Sequence, residues 1–229
     1  MALPALQLLE KKFEKQIRLF ELKRGAIEKK IETHFRRFEQ KNRIPLDDEM
    51  RFIRSWIEKP LSIGSVTPSS RALARAMAAY VDPDSKGPVI ELGPGTGPVT
   101  EALVAHGIDP ARLILLEFDP TFCRLLRRRY PAATVVEGDA YSLKRALGSH
   151  LAAPAAAVVS GLPLTTKPFK QRIKLIDEAF ELMAPDAPFV QFTYAMVTPI
   201  PKRPEVAAHA PELIWQNLPP ARVWVYRKN

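Results

Sequence analysis

The run Val89-Ile90-Glu91-Leu92-Gly93-Pro94-Gly95-Thr96-Gly97 constrains this chain more than any other feature. An apolar strand enters a turn with glycine at every second position, and Pro98 then opens a helical stretch. Glycine is needed where a backbone turns sharply and a ligand presses against it. Downstream, short apolar segments alternate with helical ones. Strands are predicted at Val89–Leu92, Leu113–Glu117, Thr134–Glu137, Ala155–Ser160, Pro188–Tyr194 and Arg222–Arg227. Helices are predicted at Pro98–Ala105, Pro120–Arg129, Ser142–His150 and Phe169–Met183. That alternation specifies an α/β fold, a doubly wound parallel sheet with helices on both faces. Glu212–Asn217 and Arg222–Lys228, joined by Leu218-Pro219-Pro220-Ala221, read as a two-stranded, antiparallel ending.

Each predicted strand end carries a group suited to a nucleoside. Dinucleotide sites use G-x-G-x-x-G with a pyrophosphate on the helix start. Here the pattern is G-x-G-x-G and the next residue is Pro98, which fits S-adenosylmethionine better. Its methionine end would lie over Leu92, Gly93, Gly95 and Thr96, with Glu91 facing its amino group. Glu117 ends the next strand, 20 residues beyond Gly97, where a carboxylate accepts from ribose hydroxyls. Phe118 follows it into the same pocket. Gly138-Asp139-Ala140 after the third strand offers a carboxylate to the adenine amino group. Ser160-Gly161-Leu162-Pro163 after the fourth places turn carbonyls at the sheet's carboxyl edge, where open α/β sheets bind ligands. Singly these signals are weak, and in this order they reinforce one another.

Three zones divide the chain: 1–43, 44–87 and 88–229. Of the 229 residues, 34 are Lys or Arg and 25 Asp or Glu, a net charge of +9. Residues 1–43 alone hold 12 basic and 6 acidic side chains, so most of the excess lies in the first fifth. There Leu6, Leu9, Phe13, Ile17, Phe20, Ile27, Ile31, Phe35 and Phe38 fall in one sector of about 80° on a helical wheel, flanked by Lys and Arg. This predicts a basic amphipathic helix that prefers an anionic surface, lipid or nucleic acid. Residues 44–87 are read as a short helical cap with a cofactor-covering loop, Ile63–Ser70, and a helix from Ser69 or Ser70 to about Tyr80. The 22 prolines gather in loops, above all Pro199–Pro211. The single cysteine, Cys123, excludes an internal disulfide and fits a reducing compartment. Met1–Leu9 lacks a secretory-signal pattern, and no run of about 18 apolar residues would span a bilayer. His34, His106, His150 and His209 form no spaced cluster, so no metal is expected.

The run Glu91–Gly97 with Glu117, Asp139 and the Ser160–Pro163 turn resembles a class I methyltransferase. Ile63–Ser70, Ser160–Leu164, Gln191-Phe192-Thr193-Tyr194 and Asn217–Arg227 (NLPPARVWVYR) narrow the likeness to the bacterial soluble phosphatidylethanolamine N-methyltransferases, over nearly the whole chain. The related rRNA adenine dimethyltransferases carry Asn-(Leu/Ile/Pro)-Pro-(Tyr/Phe) in the fourth motif. Here Gly161 replaces the Asn and Leu164 the aromatic, which counts against a flipped, stacked base. The resemblance implies successive methylation of phosphatidylethanolamine through mono- and dimethyl forms to phosphatidylcholine. It implies a cytoplasmic enzyme lying on the inner face of the cell membrane, recruited by anionic lipids.

Methyl transfer to an amine needs a neutral nucleophile held in line, in a site that excludes water. Carbonyls of Ser160, Gly161 and Leu162 are expected to orient the amine. Tyr194 and Tyr141 are candidates to meet it, Tyr194 also for the lipid phosphate and Tyr141 also to stack on adenine. Thr67 and Ser69 are expected in the loop over the cofactor, and Lys167 and Arg203 at the phosphodiester. No residue stands out as a general base. Two other readings remain open: an RNA or small-amine methyltransferase whose basic arm clamps phosphates, and a non-catalytic binding module with a degenerate pocket.

Overall fold

The computed structural model describes residues 71–194, 198–210, 213–215, 217 and 221–228. All belong to the second of the two units into which the chain divides, Ser55–Asn229. The amphipathic helix expected over 1–43 and the loop carrying Thr67 and Ser69 lie outside the described residues.

Five helices and eight strands are described: α1 Arg71–Ala78, β1 Val89–Leu92, α2 Pro98–Ala105, β2 Leu113–Glu117, α3 Pro120–Arg129, β3 Thr134–Glu137, α4 Leu143–Leu147, β4 Ala157–Ser160, α5 Phe169–Leu182, β5 Phe189–Thr193, β6 Val206–His209, β7 Leu213–Ile214 and β8 Ala221–Lys228. The strands form one sheet in the order β3-β2-β1-β4-β5-β8-β6, and β7 also pairs with β8. β1 to β5 are parallel, whereas β8 runs antiparallel to β5, β6 and β7. The sheet is the doubly wound, Rossmann-like arrangement expected, with its antiparallel C-terminal strand.

β1, β2, β4 and β5 are buried along their whole length. This is why they read as near-continuous apolar runs: helices cover both faces. The alternation of side chains sorts the core into two layers. Val89, Leu113, Leu115, Val159, Val190 and Val223 pack with α1, α2 and α3 through Leu73, Met77, Leu103 and Leu126. Ile90, Leu116, Val158, Phe189 and Tyr226 face the other way, against Leu143 and Leu147 of α4 and Leu175, Ile176 and Ala179 of α5. Helix starts follow local chemistry. Asp119 caps α3 by accepting from the Thr121 and Phe122 amides at 2.7 and 3.3 Å, with Pro120 at the first helical position.

Three predicted elements differ. The segment Ser142–His150 is a 3-10 turn, Ala140–Ser142, followed by the short α4. The fourth strand starts at Ala157, because Ala155 makes only an isolated bridge to Met183. The proline-rich stretch Pro199–Pro211, read as loop, contains β6. That strand is an edge with one buried residue, Val206, and three exposed ones, so it lacks the alternating pattern that marks a half-buried strand.

Candidate active site

The carboxyl ends of β1, β2, β3 and β4 surround a cavity of about 620 Å³ lined by residues including Gly93, Glu117, Phe118, Asp139, Tyr141 and Leu162. Gly138 and Ala140 complete the wall after β3. The opposing wall carries Lys167, Gln171 and Lys174. Sequence reading missed Gln171 and Lys174. Gln171 and Lys174 stand three apart on α5, a helical spacing that periodicity would have exposed.

The glycine turn is shaped for a close ligand. Gly93 and Gly95 have φ of 66° and 56°, in the left-handed region. A Cβ on Gly93 would sit 2.8 Å from Leu162 Cδ2, whereas one on Gly95 would meet nothing within 4 Å. Gly93 is therefore glycine chiefly for its left-handed backbone, since the Leu162 methyl beside it can swing aside, and the space beside Gly95 is open. Gly161 answers from the other turn: its Cβ would lie 2.9 Å from the Gly93 carbonyl oxygen, and its amide donates to the Leu92 carbonyl at 2.8 Å.

Glu117 ties the turn to β2. Its Oε2 accepts from the Gly95 amide at 2.9 Å, and its Oε1 accepts from the Phe118 and Asp119 amides at 2.9 and 3.0 Å. A carboxylate has about four lone-pair positions. Three are used, leaving capacity for a ribose hydroxyl. Asp139 Oδ1 accepts from the Tyr141 amide at 2.9 Å and lines the cavity. Phe118 is 75% exposed at the cavity edge, an aromatic face open to a base. Open space at Gly95, acids at the ends of β2 and β3, and an aromatic beside them fit S-adenosylmethionine. Gly93, Gly95, Glu117, Phe118, Asp139 and Ala140 would hold it, and when bound it supplies the activated methyl group.

Glu91 departs from expectation. It is buried, does not line the cavity, and accepts from Thr100 Oγ1 at 2.7 Å. Burial pushes its carboxyl pKa up to about 8, with the Thr100 hydrogen bond opposing and the Glu117 charge reinforcing the rise. It shares the face of Val89 and points at α2, so it holds that helix to β1 instead of meeting a cofactor amino group. Leu92, Gly95, Thr96, Ser160 and Gly161 are likewise absent from the cavity wall, although the space beside Gly95 is open.

The Ser160–Leu162 turn is braced from below. Ser160 is fully buried, and Gln191 Nε2 donates to the Leu162 carbonyl at 2.9 Å and to the Phe192 carbonyl at 2.7 Å. Sequence reading quoted Gln191 only as part of a motif and missed this bracing contact. Tyr141 lines the cavity with the Lys167 ammonium 5.0 Å from its ring centroid. Burial raises the Tyr141 pKa to about 12, so it is protonated at neutral pH.

Two expected substrate contacts lie elsewhere. Arg203 forms a bidentate pair with Asp177 of α5, at 2.6 and 3.1 Å, and reaches Glu205 at 3.4 Å. Its charge is committed to structure and it does not line the cavity. Tyr194 packs edge-on to Phe192, ring centroids 5.4 Å apart, and its hydroxyl is bound by the Asn217 side chain. Tyr194 thus belongs to the α1–α3 face, opposite Gln191. Among the described residues, no group of His, Cys, Asp and Glu is arranged to hold a metal ion. No helix among them is long and apolar enough to cross a membrane.

No protein-family model matches the chain. It is 34% identical over 151 residues to the ornithine lipid N-methyltransferase of Singulisphaera acidiphila, covering 65% of this chain and 79% of that protein. A ribosomal RNA small subunit methyltransferase A from a Synechococcus species is 35% identical over 94 residues, 39% of this chain and 29% of that one. TrmN from Thermus thermophilus superposes with a TM-score of 0.56 at 18% identity over 76% of this chain, which spans about half, 52%, of the TrmN chain. A TehB-like methyltransferase from Corynebacterium glutamicum gives 0.51 at 16% identity, covering 79% of this chain and 98% of that one. The two superpositions speak to the fold. The sheet order, the glycine turn with Glu117 and Asp139, and the 34% relative converge: the chain belongs to the class I S-adenosylmethionine-dependent methyltransferases, in the family of that ornithine lipid N-methyltransferase.

Proposed function

We propose that this enzyme transfers methyl groups to the amine of a zwitterionic membrane lipid, working from the bilayer surface. Phosphatidylethanolamine is the acceptor, taken through mono- and dimethyl intermediates to phosphatidylcholine. The observation that carries the lipid reading is the 34% identity with a protein named for N-methylation of ornithine lipid, over 79% of its length. The phosphatidylethanolamine assignment rests on the resemblance of the Ser160–Leu164, Gln191–Tyr194 and Asn217–Arg227 motifs.

An amine acceptor suits the described site. The Leu162 carbonyl accepts from both Gln191 Nε2 and the Leu164 amide, each at 2.9 Å, which fixes the turn and leaves the amine to its neighbouring carbonyls, and the cavity wall presents no histidine to act as general base. Carbonyls can orient an amine that has already lost its proton to solvent, and the enzyme then contributes alignment and exclusion of water. The amphipathic, basic segment 1–43 gives the reading its membrane contact: an apolar stripe flanked by Lys and Arg suits an anionic leaflet on the cytoplasmic side.

The same relative favours a second acceptor, ornithine lipid, which also presents an amine. The RNA reading is weaker. Its match spans 29% of the ribosomal enzyme, and an Asn in place of Gly161 would drive its Cβ to 2.9 Å from the Gly93 carbonyl oxygen. One assay separates all three. The protein receives labelled S-adenosylmethionine with phosphatidylethanolamine vesicles, ornithine lipid vesicles, both containing anionic lipid, or total RNA. Label in mono-, di- and trimethylated phosphatidylethanolamine is expected. Label in ornithine lipid alone moves the acceptor to that lipid, and label in RNA alone overturns the lipid reading.

A further inference from the structure

Among the described residues, the large apolar side chains left exposed are Phe118, Phe169 and Trp215. Single exposed apolar residues scattered over a surface are ordinary. These three are not scattered. All stand at the carboxyl edge of the sheet, where the cofactor cavity lies. Phe118 lines that cavity, so the cofactor covers it. Phe169, 60% exposed, and Trp215, 71% exposed, do not line it and need another partner.

Strand pairing fixes their places. Phe169 opens α5, which residues 161–168 join to the carboxyl end of β4. Arg222 of β8 stands between Thr193, the last residue of β5, and Leu213 of β7. β5 and β7 are both antiparallel to β8, so they run the same way. Trp215, two residues past Leu213, therefore lies beyond the carboxyl edge. The described chain also begins on this side. α1 packs against β7 and β8 and leads through 79–88 to the amino end of β1, so Arg71 lies toward the carboxyl edge. Residues 1–70, with the basic amphipathic segment 1–43, are attached there.

The charge around Phe169 gives the chemistry of the partner. Residues 167–174, Lys-Pro-Phe-Lys-Gln-Arg-Ile-Lys, hold four basic side chains and no acidic one. Arg172 is engaged within the protein. It donates to the Lys167, Pro199 and Thr165 carbonyls at 2.6, 3.1 and 2.9 Å, and its guanidinium lies 4.7 Å from the Phe169 ring centroid. It thereby fixes the start of α5 and the ring upon it. Lys174 lies 3.4 Å from Glu178. Lys170 is exposed, and Lys167 stands on the cavity wall two residues before Phe169. Tryptophan and phenylalanine beside lysines suit the headgroup layer of an anionic leaflet, where the rings are buried and the ammonium groups meet phosphate.

We propose that Phe169 and Trp215 are membrane anchors of the catalytic domain. They enter the headgroup layer of an anionic leaflet, with Lys167 and Lys170 against its phosphates. The carboxyl edge then faces the bilayer, and an amine-bearing lipid reaches the cavity without leaving the leaflet. This surface rests on the lipid reading above. It adds orientation to the attachment assigned there to segment 1–43.

The test uses the full-length protein and a double variant, Phe169→Ala with Trp215→Ala. The acceptor, whichever of phosphatidylethanolamine and ornithine lipid the protein methylates, is offered in two forms. One is vesicles containing phosphatidylglycerol, and the other is a short-chain analogue dissolved below its micelle concentration. In the double variant kcat/KM on vesicles should fall at least tenfold, whereas on the dissolved analogue it should stay within twofold. S-adenosylmethionine affinity by calorimetry should also stay within twofold. Melting temperature should hold, because exposed side chains carry little of the fold's stability. Trp215→Phe keeps an aromatic anchor, so it should retain the vesicle rate. Quenching of protein fluorescence by vesicles with brominated acyl chains should nevertheless decrease in that variant, because Trp215 is the inserted fluorophore. An unchanged vesicle rate in the double variant, with lipid still methylated, overturns the docking surface alone. An equal fall on vesicles and dissolved analogue does the same and moves the two aromatics into the acceptor site. Undiminished quenching in Trp215→Phe takes Trp215 out of the bilayer and overturns the surface as drawn. Methylation of RNA and of neither lipid by the unaltered protein overturns the lipid reading and this surface with it.

Discussion

Gln191 donates to the Leu162 carbonyl at 2.9 Å across 29 residues of chain, from a fully buried strand to the turn that lines the cofactor cavity. The turn on the cavity wall is thus held by a side chain that no solvent reaches. Gln191→Met keeps the bulk and removes both N–H donors. The Leu162 and Phe192 carbonyls lose a partner, and the turn loses its orientation. We expect kcat to fall about tenfold or more, consistent with loss of one well-placed buried hydrogen bond of ~1–2 kcal/mol. S-adenosylmethionine affinity by calorimetry should change less than twofold. A matching loss of cofactor affinity would show that the turn supports the cofactor and not the acceptor.

Glu117 joins three backbone amides of two turns, and its remaining lone pairs face the cavity. Glu117→Ala removes the anchor of Gly95 as well as the ribose acceptor. Calorimetry should record at least a 100-fold loss of S-adenosylmethionine affinity. Glu117→Gln, which preserves shape but forces an NH₂ toward one set of amides, should fall in between. Unchanged affinity in the alanine variant would remove the ribose from this wall.

Gly161 and Gly93 meet with no room for a side chain between them. In Gly161→Ala the new Cβ would stand 2.9 Å from the Gly93 carbonyl oxygen, a backbone atom that cannot swing aside. Overpacking of this kind costs about 1–3 kcal/mol. The variant should melt several degrees lower and bind S-adenosylmethionine more weakly, since Gly93 moves with its carbonyl. Normal melting with normal binding would mean that the two turns separate without consequence.

Much of this arrangement was legible in the sequence, for physical reasons that differ by residue. β1, β2, α2 and α3 have their predicted limits because a cap, a glycine or a proline stands at or within a few residues of their ends. Glu117 and Asp139 were legible because they end strands next to turn residues, a purely local signal. Glu91 was misread because its position before Gly93 says nothing about which face it takes. The period of two from Val89 does, and it points to Thr100 of α2. Arg203 was misread because its partner, Asp177, lies 26 residues away on another element. The pairing of Gln191 with Trp224 was invisible for the same reason: strand order, not spacing, creates it.

The raised pKa of Glu91 makes fold stability depend on pH in a definite direction. Its folded value is about 8, whereas an exposed glutamate titrates near ~4.3. Between those limits the folded protein holds a proton that the unfolded chain has released. The Glu91 contribution is therefore fully present below about pH 4.3 and declines as pH rises toward 8, with a slope of at most ~1.4 kcal/mol per pH unit. Glu91→Gln keeps a neutral amide beside Thr100 and abolishes the slope. The melting temperature of the variant minus that of the unaltered protein should increase by several degrees between pH 5 and pH 8.5. A constant difference would mean that Glu91 is ionised in the folded state throughout.

Residues 1–43 carry 12 basic and 6 acidic side chains with an aromatic apolar stripe, while the described residues already include the glycine turn, Glu117 and Asp139. Membrane contact and cofactor binding should therefore be separable. Each basic side chain near an anionic leaflet contributes about 1 kcal/mol, added to burial of the stripe. Removal of 1–43 should lower partition onto vesicles containing phosphatidylglycerol by at least tenfold, as read by co-sedimentation. It should leave S-adenosylmethionine affinity within twofold. The full-length protein should also lose vesicle binding as salt rises from 0.05 to 0.5 M, because screening shortens the reach of those charges to a few ångströms. Truncated protein that sediments with vesicles as well as the full-length chain would transfer the membrane contact to the catalytic domain.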